Sequence, residues 1–176
     1  MFRIASFGIV LTAVAFLWRP APTLAGPPES LPYTDSVSGT AELTGGSENT
    51  ATYQLNGTGS SPELGNFDME GSDTLVATSV NDDGTFSGKV TDGTFTLTAE
   101  NGTVSGIFGG TFTVDLDGTA TLTLSVRIDP DEGTGAFAGV GGTATTTVIL
   151  DTTGAFTYTS DGTLRLPCAP SIPVER

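Results

Sequence analysis

The sequence predicts an all-β protein, an eight-stranded antiparallel meander closed into a barrel. Three observations predict it. Past residue 32 no apolar pattern recurs at helical spacing; Val, Phe, Leu and Tyr instead alternate with Thr and Gly, which suits a half-buried pleated surface. Turn dipeptides punctuate the chain at Asn56-Gly57, Asp83-Gly84, Asp92-Gly93, Asn101-Gly102, Asp117-Gly118 and Asp161-Gly162. Eight such tracts with one apolar face are best satisfied by closure, which removes exposed strand edges. An open β-sandwich is the alternative.

The tracts run over 35–43, 51–59, 67–80, 85–99, 103–116, 120–128, 143–150 and 155–165. Parity of the apolar positions tests their connections. Phe95, Leu97 and Ala99 are odd, whereas Val104, Phe108 and Phe112 are even. A two-residue loop at Asn101-Gly102 would set Glu100 opposite Thr103, Ala99 opposite Val104 and Phe95 opposite Phe108. Phe112, Val114 and Leu116 share even parity with Ala120, Leu122 and Leu124, so the Asp117-Gly118 turn must have three or five residues. An odd loop near Asp151 to Thr153 likewise matches Val148 and Leu150 to Phe156 and Tyr158. Asp92-Gly93 either closes a hairpin or forms a bulge that flips register inside one long strand.

Four segments follow from composition and pattern. Residues 1–25 read as a secretory signal peptide: Arg3, an apolar run from Ile4 to Trp18, then small residues at Thr23 and Ala25. A single N-terminal anchor helix is the alternative. Residues 26–34 read as a linker, 35–166 as the barrel domain and 167–176 as a Pro-rich tail. The expected location is secreted or periplasmic, with no membrane contact once the signal is removed, as a monomer or weak homo-oligomer.

Charge and rare residues exclude several function classes. The chain carries 20 acidic and 6 basic residues. The signal holds two of those bases and no acid, so the mature net charge is about −16. Such a surface repels nucleic acid and anionic lipid. There is no His, which removes Ser-His-Asp and Cys-His catalysis and His-containing metal sites. The one Cys, Cys168, lies in the tail and can form no internal disulfide.

The stretch Gly133-Thr134-Gly135-Ala136-Phe137-Ala138-Gly139-Val140-Gly141-Gly142 concentrates glycine amid strands, the mark of sharp bends or close backbone approach. Phe137 is expected to plug one end of the core there, and Gly139, Gly141 and Gly142 to begin the next strand where a Cβ has no room. The motif resembles the signature before the last strands of the allene oxide cyclase and dirigent barrels, above all their bacterial secreted relatives of unassigned function. Leu64, Gly65 and Phe67 resemble an early strand opening in those bacterial proteins, and Phe86 to Val114 has their Gly-Thr-Phe texture. The likeness spans most of residues 35–165. It implies an eight-stranded antiparallel barrel with an apolar interior. The plant cyclases isomerise a fatty-acid epoxide and dirigent proteins steer phenoxy-radical coupling, but none of their pocket residues maps onto a position here.

The candidate interior lining is Phe67, Asp73, Phe95, Phe108, Phe112, Phe137, Phe156 and Tyr158. Asp73 shares the parity of Phe67, Met69 and Leu75 and so faces inward, at a strand end or bulge or as an acid–base group. Asp68, Glu70 and Arg127 face out. Asp129, Asp131 and Glu132 are the calcium candidate, because carboxylates two apart on a loop suit a hard cation; ordinary turn chemistry competes with that reading. No other cofactor is expected. Thr runs on the opposite face suit ice or polysaccharide, and equally plain β propensity. Asn56 and Asn101 head glycosylation patterns that coincide with expected turns. The leading function is non-catalytic binding of an apolar small molecule inside the barrel. Alternatives are a cofactor-free cyclase or isomerase acting on a lipid-like substrate, and a structural protein with a filled core. A cavity separates the first two from the third; inward Asp, Glu or Tyr around it would favour the enzyme over the binder.

Overall fold

The computed structural model describes residues 29–167. Residues 1–25, read above as a signal peptide, and Cys168 lie outside the described residues. Eight strands run in chain order: β1 (Ser30–Ser47), β2 (Thr50–Ser61), β3 (Gly65–Val80), β4 (Phe86–Ala99), β5 (Gly102–Val114), β6 (Ala120–Ile128), β7 (Gly141–Leu150) and β8 (Ala155–Arg165). Each pairs antiparallel with the next, and β1 pairs with β8 from Ser30↔Arg165 to Thr40↔Ala155, so the barrel is closed. The seam uses residues 30–34, which corrects their reading as a linker. Tyr33 is inward and buried, so the apolar alternation of β1 starts earlier than residue 35.

Phenylalanine and glycine form one system. Five Phe side chains lie directly across a strand pair from an inward glycine: Phe156 from Gly39, Phe67 from Gly59, Phe112 from Gly88, Phe108 from Gly93 and Phe95 from Gly106. In each pair a ring atom sits 2.5–2.9 Å from where a glycine Cβ would be. The missing side chain lets the ring lie flat on the neighbouring backbone, so a narrow barrel is filled by large residues without overpacking. Two of the six dipeptides read as turns belong to this close-packing category instead. Asn56-Gly57 lies within β2 and Asp161-Gly162 within β8, because Gly57 and Gly162 face inward where a Cβ would strike the adjacent strand. The Asn56 glycosylation pattern is therefore on a strand.

Parity is right and register is not. The β4–β5 turn is Glu100-Asn101, closing Ala99↔Gly102, so Leu97 meets Val104 and Phe95 meets Gly106 rather than Phe108. A slip of two residues preserves every face, and the Phe-over-Gly contact selects between the two registers. The odd loops hold: Val114 pairs with Ala120 and Leu150 with Phe156. Asp92-Gly93 is a bulge inside β4, which moves the inward set from even Val90 to odd Phe95, with Asp92 at φ 55°.

Three connections at one end of the barrel share one geometry: Asn81–Thr85, Asp115–Thr119 and Asp151–Ala155. In each, the first residue's N–H donates to the fifth residue's carbonyl, and the glycine N–H donates back to the first carbonyl. Gly84, Gly118 and Gly154 have φ of 86–87°. This is a type I turn closed by a left-handed glycine bulge, which the sequence DG or TG specifies. Side-chain oxygens of Asp83, Asp117 and Asp151 accept backbone N–H bonds of 2.8–3.0 Å, and hydrogen bonding lowers their pKa. Gly84→Ala should lower stability by about 1 kcal/mol in urea denaturation, the cost of a Cβ in the left-handed region.

The opposite end is closed by chain. Gly133 to Gly142 lies against the β4–β5 turn: Thr134 N–H donates to Thr103 O and Ala136 N–H to Asn101 O. Gly135 (φ 59°) and Gly102 pack backbone to backbone, with Gly102 Cα 3.0 Å from an added Cβ at Gly135. Val140 is the buried plug, 2% exposed. Phe137 ends a short 3-10 turn and is only half-buried against the core, a correction to its expected plugging role. Gly142 has no room for a Cβ, whereas Gly141 does, and Gly139 (φ 79°) precedes the strand.

Candidate functional site

The barrel axis contains a cavity, whose side chains leave about 70 Å³ open to the centres of water-sized molecules. That is more than one water needs. The walls are mostly aliphatic: Met69, Leu75, Leu97, Leu122, Leu124 and Val148 are buried and line it. Phe95, Phe108, Phe156 and Tyr158 also line it, as the sequence predicts; Phe95 and Phe108 pack at 6.5 Å between ring centroids and Phe156 stacks on Tyr158 at 6.3 Å. Phe67, Phe112 and Phe137 do not line it. Phe67 and Phe112 are buried over Gly59 and Gly88, nearer the barrel's ends.

The polar lining is what sequence reading mostly missed. All three tyrosines of the chain, Tyr33, Tyr53 and Tyr158, face the cavity. So do Asp35, Asp73, Thr146 and Ser160. Thr146, Ser160 and Asp35 are register neighbours on β7, β8 and β1, so they make one polar line across three strands. Thr146 Oγ1 and Ser160 Oγ share a hydrogen bond of 2.8 Å, and Tyr33 OH donates to Asp35 Oδ2 at 2.6 Å. Parity could have found them, since Tyr33 and Asp35 match Val37, Tyr53 matches Leu55, Thr146 matches Val148 and Ser160 matches Tyr158.

Two carboxylate oxygens inside this cavity lack a partner: Asp35 Oδ1 and Asp73 Oδ1. Asp73 faces in as its parity predicts, opposite the Asp92-Gly93 bulge, where one β3 residue meets two on β4. Burial pushes its pKa up to about 6. Burial, then the Asp35 carboxylate, raises the pKa of the Tyr33 and Tyr158 hydroxyls, which therefore stay neutral donors. Lys89, Arg127 and Arg165, the basic residues described, all point to solvent. The lumen thus contains carboxylates and no counter-charge.

At the end that carries the three glycine turns, Ala41, Tyr53, Leu75 and Leu150 line both the inner cavity and a surface depression, the threshold between cavity and mouth. The turns around this mouth carry Glu48, Asp82, Asp83, Asp115, Asp117 and Asp151 and no base. The calcium candidate is not assembled. Asp129 Oδ1 accepts from Asp131 N–H at 3.0 Å, an ordinary turn use of the side chain, and among the described residues no three acidic, His or Cys groups converge as metal ligands. Among the described residues no helix is long and apolar enough to cross a membrane.

Searches against family models, curated proteins and solved structures return no match.

Proposed function

We propose that the protein binds a slender, largely apolar small molecule inside its barrel, without converting it. The observation that carries this reading is the lined cavity itself, which meets a surface depression at the Ala41–Tyr53–Leu75–Leu150 threshold. Eight-stranded barrels are just wide enough either to fill with side chains or to hold one small ligand, and here a cavity remains between the packed side chains. The resemblance to secreted cyclase-type and dirigent-type barrels agrees with an enclosed apolar ligand. Displacement of a neutral fluorescent probe such as N-phenyl-1-naphthylamine tests it. The wild type should bind the probe, and Ala41→Trp, which narrows the threshold, should weaken binding at least tenfold while leaving the melting temperature nearly unchanged. Probe binding that is absent in the wild type, or unaffected by Ala41→Trp, counts against an interior site.

A second reading, cofactor-free isomerisation or cyclisation of an enclosed lipid-like substrate, is favoured by the inward Asp35, Asp73, Tyr33, Tyr53 and Tyr158 around the cavity, the groups that distinguish an enzyme from a binder, and by Asp73 in particular. Asp73 faces the cavity with a pKa near neutrality, the property of a general acid or base. Binding is placed first because Tyr33 is already committed to Asp35 and Asp73 Oδ1 has no orienting partner. Turnover abolished by Asp73→Asn with ligand affinity retained would reverse that order.

A further inference from the structure

Resting on the binding reading above, we infer that the ligand is an organic amine: an apolar body with a protonated nitrogen that pairs with a bare carboxylate of the lumen. Asp35 is 8% exposed and Asp73 5%, and each holds one oxygen with no hydrogen-bond partner. Buried carboxylate oxygens are ordinarily satisfied, because leaving one bare costs free energy. A ligand that donates N–H bonds and carries positive charge supplies what both lack. The described walls offer no cationic anchor. Among the described residues no Lys or Arg points inward, so a carboxylate or phosphate head would meet like charge and no counter-charge. Tyr33 OH, the nearest donor to Asp35, is spent on Oδ2.

The surroundings agree at two further points. Phe95, Phe108 and Tyr158 line the cavity, and aromatic rings attract cations over their faces once water is excluded. The mouth is ringed by six carboxylates without a base, a field that concentrates cations and repels anions at the threshold. Ammonium capture at the Thr146–Ser160–Asp35 line would place the nitrogen among hydroxyl acceptors as well, with the alkyl or aryl body lying along Leu122, Leu124 and Val148.

Calorimetric titration of the purified protein with decylamine, decanol and decanoate, each below its micelle concentration at pH 7.5, tests the class of ligand. Decylamine should bind at least tenfold tighter than decanol, and decanoate most weakly. The amine-to-alcohol ratio should fall towards one in Asp35→Asn or in Asp73→Asn. A general loss of fold would weaken both ligands and leave the ratio uninformative, so thermal melts accompany each variant and the wild-type series stands by itself. Equal binding of amine and alcohol, tighter binding of decanoate, or a ratio unchanged in both variants overturns the amine while leaving the interior site intact. If none of the three binds, the binding reading falls with it.

Discussion

Gly39→Val should abolish the folded barrel at ordinary temperatures. Gly39 is paired on both sides of β1, with Gly57 on β2 and with Phe156 across the β1–β8 seam. A Cβ there would run into Asn56 O, and would sit 2.7 Å from Gly57 Cα and 2.8 Å from Phe156 Cζ. Two of these obstacles are backbone atoms of the neighbouring strand, so no rotamer change relieves them. Overpacking in a core commonly costs about 1–3 kcal/mol. A β-branched residue against backbone at the closing seam should exceed that range, a large part of the total stability of a single domain. The control is Gly45→Ala, at a position on the same strand with open space around it; it should stay within about 0.5 kcal/mol. Circular dichroism and urea midpoints for the two variants decide the matter. A cooperative, near-wild-type transition for Gly39→Val would show that the seam is looser than its geometry.

Asp73→Asn should stabilise the protein, and the gain should depend on pH. Burial raises the folded-state pKa of Asp73 from 3.8 to about 6. The acid is therefore harder to ionise in the fold than in the unfolded chain. Below pH 4 it is protonated in both states and imposes no charge penalty. As pH rises from 4 to 6 the unfolded chain releases its proton first, and the fold loses stability relative to it. Above pH 6 the loss is complete, and two pKa units correspond to about 3 kcal/mol. Asparagine removes the charge but still buries a polar group, so the gain over wild type should grow from near zero at pH 4 to about 2 kcal/mol at pH 7.5. Comparing variant with parent cancels the turn aspartates Asp83, Asp117 and Asp151, whose lowered pKa values act in the opposite sense. A difference that stays flat between pH 4 and 8 would remove the buried, uncompensated carboxyl from consideration. An acid kept at this cost in a mostly aliphatic lumen fits a role in holding a ligand.

Particular residues show where legibility ended. Alternation placed Phe95, Phe108, Phe156, Tyr158 and Asp73 inside, because a pleated strand has two faces and sequence parity labels them. The same rule reaches Tyr33, Asp35, Tyr53, Thr146 and Ser160, but Tyr33 precedes the expected strand start, and single polar residues on an apolar face look like exceptions. Asp35 is the clearest instance. Its two flanks, Ser160 and the Tyr33 hydroxyl, come from a strand at the far end of the chain and from a residue assigned to a linker.

The chain by itself determined the number of strands, their order, which face is buried in the strands from β3 onward, and the odd loops at Asp117 and Asp151. These are local properties, set by the two-residue repeat of a strand and by the backbone freedom that Asp-Gly turns require. Only tertiary structure decided the register of β4 on β5, which inward Phe residues cover glycine and which face the cavity, and that two carboxylates share a lumen with no base. Those outcomes depend on atoms brought together from distant tracts: a slip of two residues leaves every parity unchanged, and only the fit of Phe95 over Gly106 and of Phe156 over Gly39 tells the alternatives apart.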